Sequence, residues 1–117
     1  MTHSMGSEAD IYEQLRLELR RGSLILAVLG QLSTEHYGYT LRRALAEAGV
    51  EIEEGALYPM LRRLESQGLL TSEWREEDKR RKRFYRLSTT GEAVLGRLLD
   101  EWRALNRSLN GILKEPQ

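Results

Sequence analysis

Six apolar residues near the C-terminus, Leu95, Leu98, Trp102, Leu105, Leu109 and Ile112, follow one another at spacings of 3, 4, 3, 4 and 3. This heptad rhythm winds one apolar seam along a helix and leaves polar residues at most positions between. A seam so regular needs a second helix to cover it. The chain has 117 residues, the size of one domain, and a chain this short buries only about two-thirds of its unfolded surface. A second copy is the natural source of the missing cover. The sequence therefore predicts a homodimer formed through the last helix, Glu92 to Leu113, packed on helix one of the other subunit through Ile11 and Leu15.

Composition removes several function classes. With no cysteine there is no disulfide framework, thiol nucleophile or zinc ribbon, which suits a reducing cytoplasm. No run of about 18 uncharged apolar residues occurs, and Met1 to Ser7 is too polar for a signal peptide, so a soluble cytoplasmic protein without a membrane partner is expected. His3 and His36 are the only histidines. Neither sits in a carboxylate cluster at metal-ligand spacing, and no phosphate loop, nucleophile elbow or HExxH is present. The sequence thus predicts no metal, no cofactor and no enzyme.

Along the chain, residues 1–8 are expected to be a disordered leader or a non-native remnant, with Met5 as a natural start. Ala9 to Leu32 reads as helix, amphipathic at first and then buried nearly all round at Leu24 to Leu29. Gly22-Ser23 either breaks it, with Ser23 as an N-cap, or is run through. A second helix starts at Gly38-Tyr39-Thr40 and is stopped by Gly49; a third covers about Gly55 to Gln67, with Leu57, Leu61 and Leu64 on one stripe and Gly68 after it. Between them Val50-Glu51-Ile52 alternates as a short extended segment would. Pro59 requires the regular part of the third helix to begin close to Leu57 or to bend. Leu69 to Trp74 and Arg83 to Leu87 alternate like strands, joined by an eight-residue charged loop, Arg75 to Lys82, expected to be mobile. Thr89 or Thr90 with Gly91 opens the last helix.

Three helices, a hairpin and a helix make a mainly α fold with a small β-hairpin, the order of a winged helix-turn-helix. Residues 9–90 form its DNA-binding domain and 91–117 the C-terminal dimerisation helix. In that arrangement the third helix enters the major groove while the hairpin, or wing, lies along a neighbouring groove or the phosphates. The charge pattern agrees. Lys plus Arg and Asp plus Glu number 18 each, yet Met1 to Glu54 carries −4, Gly55 to Gly91 carries +4 and the rest 0. The positive block is mostly Lys79-Arg80-Arg81-Lys82-Arg83. Bases there gain attraction from phosphates and release counterions.

Specific motifs then add a family. Tyr37-Gly38-Tyr39, the stretch from Gly55 to Glu65 with Leu57-Tyr58-Pro59 inside it, Gly68-Leu69, Arg83 to Leu87 and Thr90-Gly91 resemble the signature of the PadR family of bacterial transcriptional regulators, over about Leu19 to Leu99. The single tail helix resembles its short-tailed subgroup. Two departures stand out: Ala56 replaces the threonine of many relatives, and Glu53-Glu54 stands where a Ser or Asp cap is expected. The resemblance implies a homodimeric repressor on an inverted-repeat operator in double-stranded DNA, released by a small hydrophobic or phenolic effector.

The residues expected at DNA are Tyr37, Tyr39 and Thr40 at the start of the second helix, Gly55, Ala56, Tyr58, Arg62 and Arg63 on the third, and Lys79, Arg80, Arg81, Lys82 and Arg83 on the wing. Arg62 and Arg63 lie off the leucine stripe, free either to read guanine edges or to pair with Glu65 or Glu54. Tyr58 either reaches a phosphate or packs as a half-buried ring, and one of Tyr37 and Tyr39 is expected in the core. Trp102 reads as an interface anchor or, with its dimer mate, as the lining of an effector pocket. Two alternatives are a regulator with no effector and a winged-helix adaptor that never binds DNA.

Overall fold

A computed structural model describes residues 6–114. The expectations for Met1 to Met5 and for Glu115 to Gln117 lie outside the described residues. The elements are α1 (Glu8–Gln31), α2 (Gly38–Glu47), α3 (Glu54–Ser66), β1 (Leu70–Glu77), β2 (Arg80–Leu87) and α4 (Thr89–Leu113).

α1 begins where Ser7 Oγ accepts a hydrogen bond from Asp10 N at 3.1 Å, with Glu8 and Asp10 in the first turn complementing the helix dipole. The helix passes through Gly22-Ser23 unbroken. Ser23 does not cap; its hydroxyl donates to the Arg20 carbonyl at 2.8 Å. Only Val28 and Leu29 of the apolar run are fully buried, while Leu24 to Ala27 are half-buried. Gly49 and Gly68, at φ +90 and +84, stop α2 and α3 as left-handed residues. Val50 to Ile52 joins no ladder. α3 is regular from Glu54, three residues before Leu57, and contains Pro59. The missing N–H would have bonded the Gly55 carbonyl, which lies on the exposed side where water can replace it.

The core joins all these elements. Val28, Leu29 and Leu32 of the α1 end meet Leu41 and Leu45 of α2, Leu57, Leu61 and Leu64 of α3, and Leu70, Tyr85 and Leu87 of the hairpin. Each such side chain contributes about 1.5–3 kcal/mol by leaving water.

The hairpin corrects the sequence reading most. Arg75 to Lys82 is no loop: β1 and β2 pair antiparallel from Leu70↔Leu87 to Glu77↔Arg80. The turn is two residues, Asp78 and Lys79, at φ 53 and 65, the two positive φ values that match the twist of a tight hairpin. Glu76 faces Arg81 and Glu77 faces Arg80, so opposite charges line up across the ladder. His36 adds a one-residue antiparallel bridge to β2: its N–H donates to Tyr85 O at 3.0 Å and its carbonyl accepts from Tyr85 N at 2.8 Å. The whole is a winged helix-turn-helix.

α4 is capped by Ser88 rather than by Thr89 or Thr90. Ser88 Oγ accepts from Gly91 N at 2.9 Å and donates to Gly68 O at 2.7 Å, while its N–H donates to Leu69 O at 2.9 Å. Leu95 and Leu98 pack on the core, but Trp102, Leu105, Leu109 and Ile112 lie exposed beyond it, as do Ile11 and Leu15. The protruding helices raise the radius of gyration to 17.6 Å, against about 13 Å for a compact chain of this length. Among the described residues no helix is long and apolar enough to cross a membrane.

The space around Gly91 and Gly96 and the burial of His36 set three expectations for stability. A methyl at Gly91 would overlap the Leu69 carbonyl oxygen and lie 3.1 Å from Leu87 Cδ2, so Gly91→Ala should cost about 1–3 kcal/mol in denaturant unfolding. Gly96→Ala, with open space around it, should gain about 0.5–1 kcal/mol. Burial lowers the pKa of His36; the folded state therefore holds this proton less readily than the unfolded chain, and stability falls as pH drops through about 6.5. His36→Gln should flatten that part of a stability profile between pH 7.5 and 5.5.

Candidate nucleic-acid interface

The start of α2, the outer face of α3 and the hairpin form one side of the domain. Tyr37 caps α2 in an extended conformation. Thr40 Oγ1 lies 3.2 Å from Tyr37 N, 3.1 Å from Tyr37 O and 3.0 Å from His36 Nδ1, so this hydroxyl is spent on holding the cap. Tyr37 is the packed member of its pair. Its ring meets Phe84 edge-on at 5.2 Å and its hydroxyl accepts from Lys82 Nζ at 3.3 Å, whereas Tyr39 is exposed.

Tyr58 takes the packing alternative. Its ring lies on Gly38 so closely that an added Cβ would stand 2.6 Å from Cζ, which ties α3 to α2 through a contact only glycine permits. The stripe of Leu57, Leu61 and Leu64 turns inward, and Gly55, Ala56, Pro59, Arg62 and Arg63 face solvent. The acids that might have held the arginines are occupied. Glu54 accepts from Arg42 at 3.0 Å, and Glu65 accepts from Arg83 at 3.0 Å and from Ser72 at 2.6 Å. Among the described residues, neither Arg62 nor Arg63 forms an ion pair.

The five wing bases divide. Lys79 sits in the turn, and Lys79, Arg80 and Arg81 are exposed and make no ion pair among the described residues. Lys82 is folded back, its ammonium 4.5 Å from the Tyr37 ring centre and 3.3 Å from Glu77. Arg83 is held by Glu65. Arg75 lies over Phe84 at 4.0 Å and pairs with Glu73 at 2.7 Å and with Glu35. The sequence reading missed Trp74, an exposed indole on the same hairpin face as Arg81 and Arg83, whose guanidinium carbons stand 5.1 and 5.5 Å from its ring. The alternation that pairs Trp74 with Arg83 was visible, but its register was not.

Between α2, α3 and the hairpin runs a groove of about 310 Å³ lined by Tyr37, Gly38, Tyr58, Arg62, Trp74, Arg83 and Tyr85. Aromatic faces and the unpaired Arg62 guanidinium in one groove suit a phosphate-sugar chain, while Arg83 is already bonded to Glu65 and Ser72. A larger cleft, about 610 Å³, lies against α1 and carries both signs of charge, Arg16, Arg20 and Arg42 beside Glu51 and Glu53. Trp102 lines neither. Among the described residues no group of three or more His, Asp or Glu is placed to hold a metal ion.

Comparison with known proteins agrees with this geometry. The profile of the transcriptional regulator PadR-like family matches residues 25–97. The chain is 36% identical over 97 residues to a transcriptional regulator of Mycobacterium tuberculosis, covering 82% of this chain and 88% of the relative. Among solved structures, a PadR family transcriptional regulator from Eggerthella lenta superposes with a TM-score of 0.87 at 42% identity, covering 92% of this chain and 96% of the other. A PadR-like transcription factor from Bacteroides fragilis superposes with a TM-score of 0.72 at 33% identity, covering 85% and 98%. Regulators of this kind act by binding DNA and are not enzymes. With the motifs, the winged fold and these relatives in agreement, the chain belongs to the PadR-like family of transcriptional regulators.

Proposed function

We propose that the chain acts in the cytoplasm as a homodimeric, sequence-specific repressor, binding an inverted-repeat operator and leaving it when a small, planar, apolar or phenolic effector enters the dimer interface. The apolar seam of α4 carries this reading: Trp102 is 47% and Ile112 72% exposed in the single chain, and residues so large and so regularly spaced call for a second copy. Ile11 and Leu15 on the protruding half of α1 supply the matching apolar surface.

In the dimer each α3 enters a major groove, with half-sites about 34 Å apart. Arg62 and Arg63 read base edges, and Gly55 and Ala56 let the helix approach closely. Lys79, Arg80 and Arg81 lie on phosphates. Tyr37, Tyr39, Thr40 and Tyr58 border the backbone, with Tyr37 and Thr40 also holding the α2 cap. An effector stacked on Trp102 and its mate changes the separation of the two α3 helices, so binding of effector and operator oppose each other reciprocally.

Three measurements test this reading. Light scattering should give twice the 13.5 kDa chain mass, and Leu105→Asp should give a monomer. Replacing Lys79, Arg80 and Arg81 by Ala should reduce the slope of log affinity against log salt by roughly 2–3, at about 0.9 per lost phosphate contact; an unchanged slope removes the wing from the interface. Planar aromatic compounds that quench indole emission should weaken operator binding, and the operator should weaken theirs by the same factor.

A further inference from the structure

Glu65, Ser72 and Arg83 form a closed ring of hydrogen bonds. Ser72 Oγ donates to Glu65 Oε2 at 2.6 Å, Arg83 Nη2 donates to Glu65 Oε1 at 3.0 Å, and Arg83 Nε donates to Ser72 Oγ at 2.9 Å. Each corner comes from a different element: Glu65 from α3, Ser72 from β1, Arg83 from β2. All three side chains are partly buried, where a charge-assisted bond is stronger than at the open surface. We propose that Glu65 is the positioning residue that fixes the wing relative to the recognition helix, and that Arg83 serves this ring and not the DNA backbone. The inference rests on the DNA-binding reading of the α3 and wing surface.

Two observations make the ring more than a local ornament. A two-stranded ribbon is only marginally stable by itself and takes its orientation from what it packs against. Beyond the core residues Leu70, Tyr85 and Leu87, the ring supplies, among the described residues, the side-chain hydrogen bonds from α3 to the middle of both strands. It also holds the Arg83 guanidinium beside Trp74, at 5.5 Å, and beside Tyr85, at 5.7 Å, setting the floor of the groove. With the ring closed, Arg62 on α3 and Arg81 on the wing meet DNA at a fixed separation. Opened, each still attracts phosphates, but the wing no longer prefers the one placement that an operator requires.

Charge alone predicts the opposite. A carboxylate beside a DNA-binding surface repels phosphates, so neutralising it should tighten binding to every duplex. The positioning role predicts that Glu65→Gln weakens binding to a duplex selected from random sequence by the wild-type dimer at least tenfold, and changes affinity for an unselected duplex of equal length less than twofold. Arg83→Gln should do the same with an unchanged salt slope, and the double variant should be no worse than either single one. Ser72→Ala opens the ring without changing charge and carries the test if Glu65→Gln does not fold.

A second arm needs no DNA. In NMR spectra of Glu65→Gln, the Trp74 indole resonance should shift while that of Trp102 stays, and amide order parameters from Glu76 to Arg81 should fall. Tighter binding to both duplexes, a salt slope reduced by about 0.9 in Arg83→Gln, or an unchanged Trp74 resonance and wing order would each overturn the proposal. Because the NMR arm reads the free protein, the inference can fail while DNA binding stands, or survive if DNA binding is lost for another reason.

Discussion

The rotation of α3 about its own axis is the constraint on which the outer surface depends. Leu57, Leu61 and Leu64 are buried to within 2% of their area, and turning the helix by one residue would bring at least one of them into water at a cost of about 1.5–3 kcal/mol. Once they are in place, Arg62 and Arg63 have nowhere to go but outward. Tyr58, leaning on Gly38 from the flank of the same helix, also prevents α3 from sliding along α2. The packing core and the exposed arginine surface are thus two sides of one helix.

Electrostatics then selects which bases remain available. In the segment of net +4, the acids are not spread evenly among the cations. Glu65 takes Arg83, Glu77 takes Lys82 and Glu73 takes Arg75. Among the described residues, those left without an ion pair are Arg62 and Arg63 on α3, Lys79, Arg80 and Arg81 around the turn, and Arg86 near the base of β2, all exposed. Exposed pairs such as Arg75 with Glu73 are individually weak; their effect is mainly to keep particular side chains from reaching elsewhere.

Much of this could be read from the sequence, and the misses have physical causes. Helix periodicity gave the leucine stripe of α3 and the seam of α4, because burial repeats with the helix. The order of elements placed the wing beside α3. The turn escaped because a run of charges looks like a solvated loop, whereas here Glu76 and Glu77 stand opposite Arg81 and Arg80 in the ladder, a register that no local pattern shows. Ser88 escaped because its hydroxyl satisfies both Gly91 and the distant Gly68, the second of which no local pattern announces. Lys82 and Arg83 looked like wing-tip bases for the same reason: Tyr37 and Glu65 approach them only through the fold. Trp74 gave no periodic signal beyond its place in an alternating strand.

The junction at Ser88 ties the start of the tail helix directly to the base of the wing. Ser88 bonds Gly68 and Leu69 just before β1, and Gly91 lies against the Leu69 carbonyl, so there is no slack between the start of α4 and the base of the hairpin. From Gly91 to Ile112 the helix extends roughly 30 Å at about 1.5 Å per residue. A tilt of about 5° at the junction therefore carries the far end of the seam through roughly 3 Å. Conversely, a displacement of about 3 Å at the far end of the seam corresponds to only a few degrees at the junction.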